Sequence, residues 1–475
     1  MSEQKKQVVV IGNGMAGYRF CEKLLEYDAH HQYSMTVLGD DPLPAYDRVA
    51  LSTLFGSKKE RELIFSEKRW YDYYKIDLKL GTRVVSIDRK AKTVKSSTGE
   101  DVPYDKLVIA TGSRPFVPTI GNSDKGGVFV YRTPQDVAGI RARAEKVKHA
   151  VVIGGGLLGL EAAEACREMD LHTTIVEHES VLMFRQLDKI GGYLLDQKIE
   201  KLGIHLKLGT SVQSVEGENA AERVILNGGE ELEAGLVIIA AGITPNDELG
   251  AEADLDMGQF GGIAVNENVL TSDPDIYAVG ECASFNDELF GLVAPCYAMA
   301  EAAAAHLGKI NRVLEKWTPA SKLKLLDLHV SSIGETHLSE AEAVHFIDQD
   351  IHAGVYKKLL ISKDWKKLLG AILIGENSEF ERLRKAIAKE TLFPANPRDW
   401  LAPIGEPLNI EVDLEDDDLV CYCNYVTKGD ICRAIDDEKL KNASQVMAST
   451  YAASSCGGCL QNVLAVTKQY IEHGI

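Results

Sequence analysis

The sequence predicts an α/β protein with two Rossmann-like dinucleotide-binding domains, then a small α+β domain and a small helical domain organised on four cysteines. Three observations carry this prediction. The fingerprint Gly-x-Gly-x-x-Gly occurs twice, each time between an apolar run and a helical stretch. Each copy is followed at a distance by a second apolar run closing on glycine, Leu107 to Gly112 in one half and Leu236 to Gly242 in the other. Near the end, Cys421-x-Cys423 is followed by Cys456-x-x-Cys459, with 32 residues between the pairs.

Composition bounds the rest. A chain of 475 residues is long enough for about three domains, and 45% hydrophobic with 26% charged residues is the balance of a globular protein in water. A formal charge of -19 repels phosphates, which argues against nucleic acid and anionic lipid as partners. No apolar stretch is long enough to span a membrane, and Val8 to Ile11 is too short for a signal sequence and leads into glycines. Nine scattered cysteines suit a reducing compartment, so a cytoplasmic location is expected.

Val8 to Ile11 are four consecutive β-branched residues, the pattern of a strand covered on both faces of a parallel sheet. Gly12-Asn13-Gly14-Met15-Ala16-Gly17 follows, then a helical stretch from Tyr18 to Tyr27. In this context Gly12 permits the tight turn, Gly14 lets the backbone approach a pyrophosphate, and Gly17 packs the helix onto the strand. The helix N-terminus then attracts the phosphates. A second strand, Met35 to Leu38, runs to Asp40 and Asp41, where a carboxylate can accept from a ribose.

The second fingerprint begins as Ala150 to Ile153 enter Gly154-Gly155-Gly156-Leu157-Leu158-Gly159. A helix runs through Arg167, and a strand from Thr173 to Val176 ends at Glu177, 23 positions after Gly154. That is close to the spacing of the acid that bonds a ribose 2'-hydroxyl. Its charge would repel a 2'-phosphate, so this half is predicted to prefer NADH. Two fingerprints imply two dinucleotides, in redox enzymes usually FAD and a nicotinamide.

The order of fingerprint, Ala110-Thr111-Gly112, second fingerprint and Ala278-Val279-Gly280-Glu281 resembles the pyridine-nucleotide-dependent flavoprotein reductases of the two-dinucleotide-fold type. The resemblance implies an NAD domain at 119–243 inserted into an FAD domain at 1–118 and 244–315. It also implies FAD contacts for Gly12, Gly14, Gly17, Asp40, Arg48, Thr111, Gly112 and Glu281, and NAD contacts for Gly154, Gly156, Gly159 and Glu177. Two stretches, Asp41 to Ser52 and Phe290 to Tyr297, are similar to the flavoprotein half of NADH-dependent nitrite reductase large subunits and to the electron-transfer subunit of assimilatory nitrate reductase. Those families carry a similar cysteine quartet, resembling bacterioferritin-associated ferredoxin. On that likeness residues 320–400 form an α+β domain that often supplies a dimer interface, so a homodimer is an expectation. Residues 401–418 are a linker with an acidic run, and 419–475 a [2Fe-2S] domain. The resemblance also implies an NADH-oxidising reductase handing electrons to a nitrite- or nitrate-reducing partner. The chain lacks the sirohaem cysteines of full nitrite reductase large subunits, so it is not expected to reduce nitrite by itself.

The electron path can be argued from what is missing. Disulfide-type flavoenzymes need a redox-active cysteine beside the flavin, and none stands near Ala45-Tyr46. Cys21, Cys166, Cys282 and Cys296 are isolated and read as core. A reduced flavin then needs a one-electron outlet, which selects an iron-sulfur cluster on Cys421, Cys423, Cys456 and Cys459 over a structural zinc. Cys432, between the pairs, reads as a bystander. No general acid or base is required, because hydride transfer needs alignment and exclusion of water. Two other functions fit the same residues: a ferredoxin or rubredoxin reductase unconnected with nitrogen, and a redox sensor whose cluster is not catalytic.

Overall fold

In the computed structural model of the chain, the described residues are 5–56, 58–325, 328–392, 396–401, 414–422, 424–454 and 459–473. They divide into two compact units. One gathers Met1–Arg114, Ile243–Lys316 and Glu415–Ile475; the other gathers Pro115–Gly242 and Trp317–Leu414.

The chain opens with β1 (Lys6–Ile11), α1 (Met15–Tyr27), β2 (Tyr33–Leu38), β3 (Asp77–Lys79) and β4 (Lys106–Ile109). It continues with β5 (Val128–Val130), β6 (His149–Ile153), α2 (Leu157–Glu168), β7 (His172–Glu177), α3 (Lys189–Lys201), β8 (His205–Leu208) and β9 (Leu236–Ile239). Next come β10 (Ile276–Ala278) and α4 (Val293–Gly308), then β11 (Ala320–Leu325), β12 (Leu328–Gly334), β13 (Ala343–Asp350), β14 (Val355–Ser362), β15 (Leu368–Ile374) and α5 (Phe380–Ala388). The last described elements are β16 (Leu419–Cys421), β17 (Val426–Thr427), α6 (Lys428–Glu438), α7 (Ala443–Thr450) and α8 (Leu460–His473).

The first unit is built on a parallel sheet in the order β10-β4-β1-β2-β3. β1 sits at its centre, and Val8, Val9 and Val10 are fully buried there, as an unbroken β-branched run in a two-sided sheet requires. α1 packs along α4, an alanine-rich helix buried nearly all round. The second unit repeats the arrangement as β8-β7-β6-β9-β5, with β6 central. A three-stranded antiparallel sheet over Val212–Glu216, Arg223–Leu226 and Glu231–Glu233 covers it through Val215, Val224 and Leu226, packed on Val151 and Val237. The strands over Thr173 to Val176 and Leu236 to Ile239 thus lie where the apolar runs predicted.

The described elements between Ala320 and Ala388 are of α+β type, an antiparallel sheet in the order β11-β12-β15-β14-β13 with α5 against it. Its anchor within the second unit is Asp188, the N-cap of α3, which accepts from the Tyr356 hydroxyl at 2.7 Å, the Lys358 ammonium at 2.8 Å and the Gly191 amide at 3.0 Å. Burial pushes this carboxyl up, but Lys358, Gly191 and Tyr356 together hold it below the usual carboxylate range. Most of the linker lies outside the described residues, and among those described no helix is long and apolar enough to cross a membrane.

Candidate functional site

The two fingerprints fold into nearly identical cradles. Gly12 has φ +109°, and a Cβ there would stand 2.2 Å from the Ala110 carbonyl oxygen. Gly154 has φ +113°, with the Ala240 oxygen at 2.4 Å from such a Cβ. A Cβ on Gly17 or Gly159 would strike the carbonyl oxygen of Gly12 or Gly154 at 2.1 and 1.9 Å. By contrast, a Cβ on Gly14 or Gly156 would meet nothing within 4 Å, so these two face open space at the helix N-termini. One glycine of each triplet turns the chain, one seats the helix, and one leaves room for a pyrophosphate.

The first cradle holds a feature that the motif did not reveal. Asn13 is 7% exposed; its Oδ1 accepts from the Tyr71 hydroxyl at 3.0 Å, while its Nδ2 has no hydrogen-bond partner among the described residues. A buried donor left so costs about 1–3 kcal/mol until a ligand satisfies it. Together with the open face of Gly14, it fits an acceptor oxygen such as those of a pyrophosphate. The residue between the first two glycines was the available signal.

Other predicted flavin residues gather around the same sheet end. Thr111 donates through its hydroxyl to the Asn246 carbonyl at 2.6 Å, and the Asn246 amide donates to Gly112 at 2.9 Å, where φ is +67°. Glu281 accepts from the Ser113 hydroxyl at 2.7 Å, just after Gly280, whose Cβ position would lie 3.0 Å from Ala16 in the first turn of α1. Arg48 lies over the Tyr46 ring, 5.4 Å from its centroid. The buried Asp47 carboxylate fixes its turn by accepting from the Val49 and Ala50 amides at 2.8 and 3.2 Å. This loop pairs with the next segment: the Asp47 amide donates to Leu63, and the Phe65 amide to Ala45.

The two acids predicted to meet a ribose are placed differently. Glu177 closes β7, and its side chain accepts from the Gly155 amide at 2.6 Å and the Glu179 amide at 2.9 Å, inside the glycine loop. In the first cradle the matching register position is Gly39, whose Cβ position faces Asn13 at 3.1 Å. Asp40 stands one residue further on, largely exposed, 3.6 Å from Arg83.

Cys21, Cys166, Cys282 and Cys296 are all buried. Burial pushes the Cys21 and Cys166 thiols up to about 12 and raises Cys282 as well, so none of these three is poised as a thiolate. Cys432 sits in α6, its thiol likewise raised by burial.

Of the quartet, Cys421 and Cys459 are described; Cys423 and Cys456 lie outside the described residues, as do Gly457 and Gly458. Cys421 ends β16 and is buried, while Cys459 opens α8, its carbonyl accepting from the Val463 amide at 3.0 Å. A helix N-terminus favours anionic sulfur. β16 packs against α8, the helix that follows Cys459. Asn424 binds the loops together: its Nδ2 donates to the Tyr451 carbonyl at 2.6 Å and to the Ser454 hydroxyl at 3.0 Å. Asn424 thus ties the stretch after Cys421 to the stretch before Cys459, and the four-cysteine pattern of the sequence suits a cysteine-ligated cluster. The Asn424 clamp is not legible in the amino-acid order, because it depends on Tyr451 being turned into a left-handed conformation, φ 59°.

Comparison with known proteins agrees with this geometry. The pyridine nucleotide-disulphide oxidoreductase family matches residues 6–320, the rubredoxin NAD+ reductase C-terminal domain 319–391, and the BFD-like [2Fe-2S] binding domain 419–469. The chain belongs to the pyridine nucleotide-disulphide oxidoreductases, and is a flavoprotein oxidoreductase with FAD, NADH and a [2Fe-2S] cluster as its cofactor set. It is 39% identical over 480 residues to the nitrite reductase (NADH) large subunit of Escherichia coli, covering 98% of this chain and 56% of that one. It is 34% identical over 459 residues to the assimilatory nitrate reductase electron transfer subunit of Bacillus subtilis, covering 96% and 58%. The chain thus spans little more than half the length of these two relatives. Among solved structures, an NAD-dependent persulfide reductase from A. fulgidus superposes with a TM-score of 0.75 at 26% identity, over 81% of this chain and 77% of that one.

Proposed function

We propose that the chain is an NADH-oxidising electron-transfer reductase that delivers single electrons to a nitrite- or nitrate-reducing protein component in the cytoplasm. The observation that carries this reading is the pairing of an FAD cradle and a cysteine-bearing module in one compact unit, with every cysteine of the flavoprotein part buried in the core. Bound FAD supplies the conversion of one hydride from NADH into two single electrons, and a [2Fe-2S] cluster passes such electrons on one at a time.

The chain's own residues bind and orient. Gly12, Gly14, Gly17 and Asn13 hold the FAD pyrophosphate end, with Asp40 at the adenosine ribose; Arg48, Thr111 and Gly112 line the flavin, and Glu281 bonds its ribityl chain. Gly154, Gly156, Gly159 and Glu177 hold NADH. Cys421, Cys423, Cys456 and Cys459 hold the cluster. The working boundaries are an FAD domain at 1–118 and 244–315, an NAD domain at 119–243, the α+β domain at 320–400 as a homodimer contact, and the cluster domain at 419–475. Support for a nitrogen-reducing acceptor comes from the names of the two relatives above, to which 98% and 96% of this chain align.

A second reading, NADH:rubredoxin reduction, is favoured by the match at 319–391 and by 30% identity over 287 residues to the rubredoxin-NAD(+) reductase of Pseudomonas putida. Acceptor kinetics separate the two. The proposal expects kcat/KM with NADH to be highest for a sirohaem or nitrate-reducing protein component and to fall when the quartet is broken. Highest turnover with rubredoxin, unchanged in Cys456→Ser, would overturn it.

A further inference from the structure

The first unit contains a continuous polar path from the cysteine loops to the loop that carries Arg48. Asn424, next to Cys423, donates to the Tyr451 carbonyl at 2.6 Å. The Tyr451 hydroxyl donates to the Phe65 carbonyl at 2.7 Å, and its ring meets the Phe65 ring edge-on with centroids 5.3 Å apart. The Phe65 amide then donates to the Ala45 carbonyl at 2.9 Å, three residues before Arg48. Tyr451 is therefore shared between the cluster module and the segment that backs the predicted flavin loop.

Around this joint the described contacts include buried charges. Glu301, 2% exposed, accepts from Arg19 at 2.5 Å and pairs with Arg312 at 2.7 Å. Arg312 reaches the Tyr425 hydroxyl, and Asp430 lies 3.9 Å from Lys23. Between these points is a cavity of about 290 Å³ lined by Tyr18, Lys23, Phe65, Asn424, Asp430 and Tyr451. A contact of discrete polar points around a cavity is the character of a docked interface, not of a domain core.

We propose that Tyr451 is the positioning residue that latches the cluster module onto the Leu63–Phe65 segment, and that this docked state brings the cluster within electron-transfer range of the flavin. The inference rests on the relay reading given above. Tyr451 performs no chemistry; it fixes where the cluster sits. Its hydroxyl supplies the link to the flavin side, and its left-handed backbone supplies the link to Asn424.

The test uses the purified holoenzyme with flavin, iron and sulfide contents matched. Tyr451→Phe removes the hydroxyl alone, and Arg312→Gln weakens the same interface away from the ligands. Flavin reduction by NADH and the subsequent appearance of the reduced-cluster EPR signal are followed by rapid mixing, and amide exchange is measured over residues 45–65. Loss of one neutral hydrogen bond corresponds to about a fivefold change in the docked population. The expected result is cluster reduction slowed about fivefold in Tyr451→Phe and more in the double variant. Flavin reduction should change less than twofold, and exchange at the Phe65 amide should be faster. Unchanged exchange together with unchanged cluster reduction in both variants overturns the latch. If the wild-type cluster is never reduced by NADH, the relay reading fails; faster exchange in Tyr451→Phe would then still sustain the docking contact, and unchanged exchange would overturn that too.

Discussion

The sharpest prediction concerns Glu177. Its carboxylate lies inside the second glycine loop, taking the Gly155 amide at 2.6 Å and the Glu179 amide at 2.9 Å. A ribose diol adds charge-assisted hydrogen bonds to the same group, each worth about 1.5–3 kcal/mol. Glu177→Gln keeps an acceptor and the shape but loses the charge. One such increment corresponds to a rise in KM for NADH of roughly 10- to 100-fold. Because the ribose does not change between ground and transition state, kcat should move less than about threefold. The missing charge also ceases to repel a 2'-phosphate, so the ratio of kcat/KM for NADH to that for NADPH should fall by about tenfold or more. Steady-state kinetics with both nucleotides, on enzyme whose FAD content matches wild type, measure all three quantities. An unchanged KM for NADH would refute the assignment of Glu177 to the ribose, and a fall in kcat alone would relocate its role to alignment of the nicotinamide.

Three further outcomes follow from local geometry. Gly14→Ala should leave the melting temperature of the FAD-free protein within a degree or two while reducing FAD retention, since its Cβ meets no protein atom; Gly12→Ala, at φ +109° and 2.2 Å from a carbonyl oxygen, should cost about 3 kcal/mol or more and fail to accumulate folded, as judged by thermal melts and flavin content. Asp196, the acceptor for the Leu182 amide, is pushed up to about 6 by burial against an ordinary 3.8, so it binds its proton more tightly folded than unfolded and stability falls as pH rises from about 4 through about 6. Asp196→Asn removes that dependence, and denaturant melts should show it about 2 kcal/mol more stable than wild type at pH 7 and equal to it at pH 4. Cys459→Ser should lower iron and labile sulfide while leaving flavin reduction by NADH intact; loss of both together would mean that the cluster module is needed to fold the flavin site.

Much of this was legible because it is local. A β-branched run, a glycine triplet and a helix impose the strand-turn-helix cradle over a few neighbouring residues, and the backbone of Gly12 and Gly154 can be adopted by little else. Strands β14 and β15 were likewise readable from the apolar runs at Val355 to Ile361 and Leu368 to Ile374. The illegible parts depend on long-range meetings. The Asp188 carboxylate meets Tyr356 across 168 positions, and Tyr451 meets Phe65 across 386. No periodicity encodes such pairs. Asn13 is a third kind of case: the residue was in view, but its buried, half-satisfied amide becomes informative only once Tyr71 is seen to occupy the other half.

The two cradles share a backbone and differ in how far they are satisfied before a nucleotide arrives, and that difference separates their roles. In the second cradle the Gly155 amide is already taken by Glu177 and its carbonyl by the Met183 amide at 2.9 Å. A nucleotide entering there gains only the net of an exchange of partners, which limits its affinity and suits a substrate that must leave after every turnover. In the first cradle the buried Asn13 Nδ2 has no partner among the described residues, and on the proposed assignment FAD binding relieves that cost. The free energy of that relief adds to affinity without any new surface being buried. On the proposed assignments the same fold is biased toward a resident flavin at one end and an exchanging NADH at the other. Asn13→Ala should therefore weaken FAD retention while leaving KM for NADH unchanged, and a variant that retains FAD as tightly as wild type on gel filtration would break the argument.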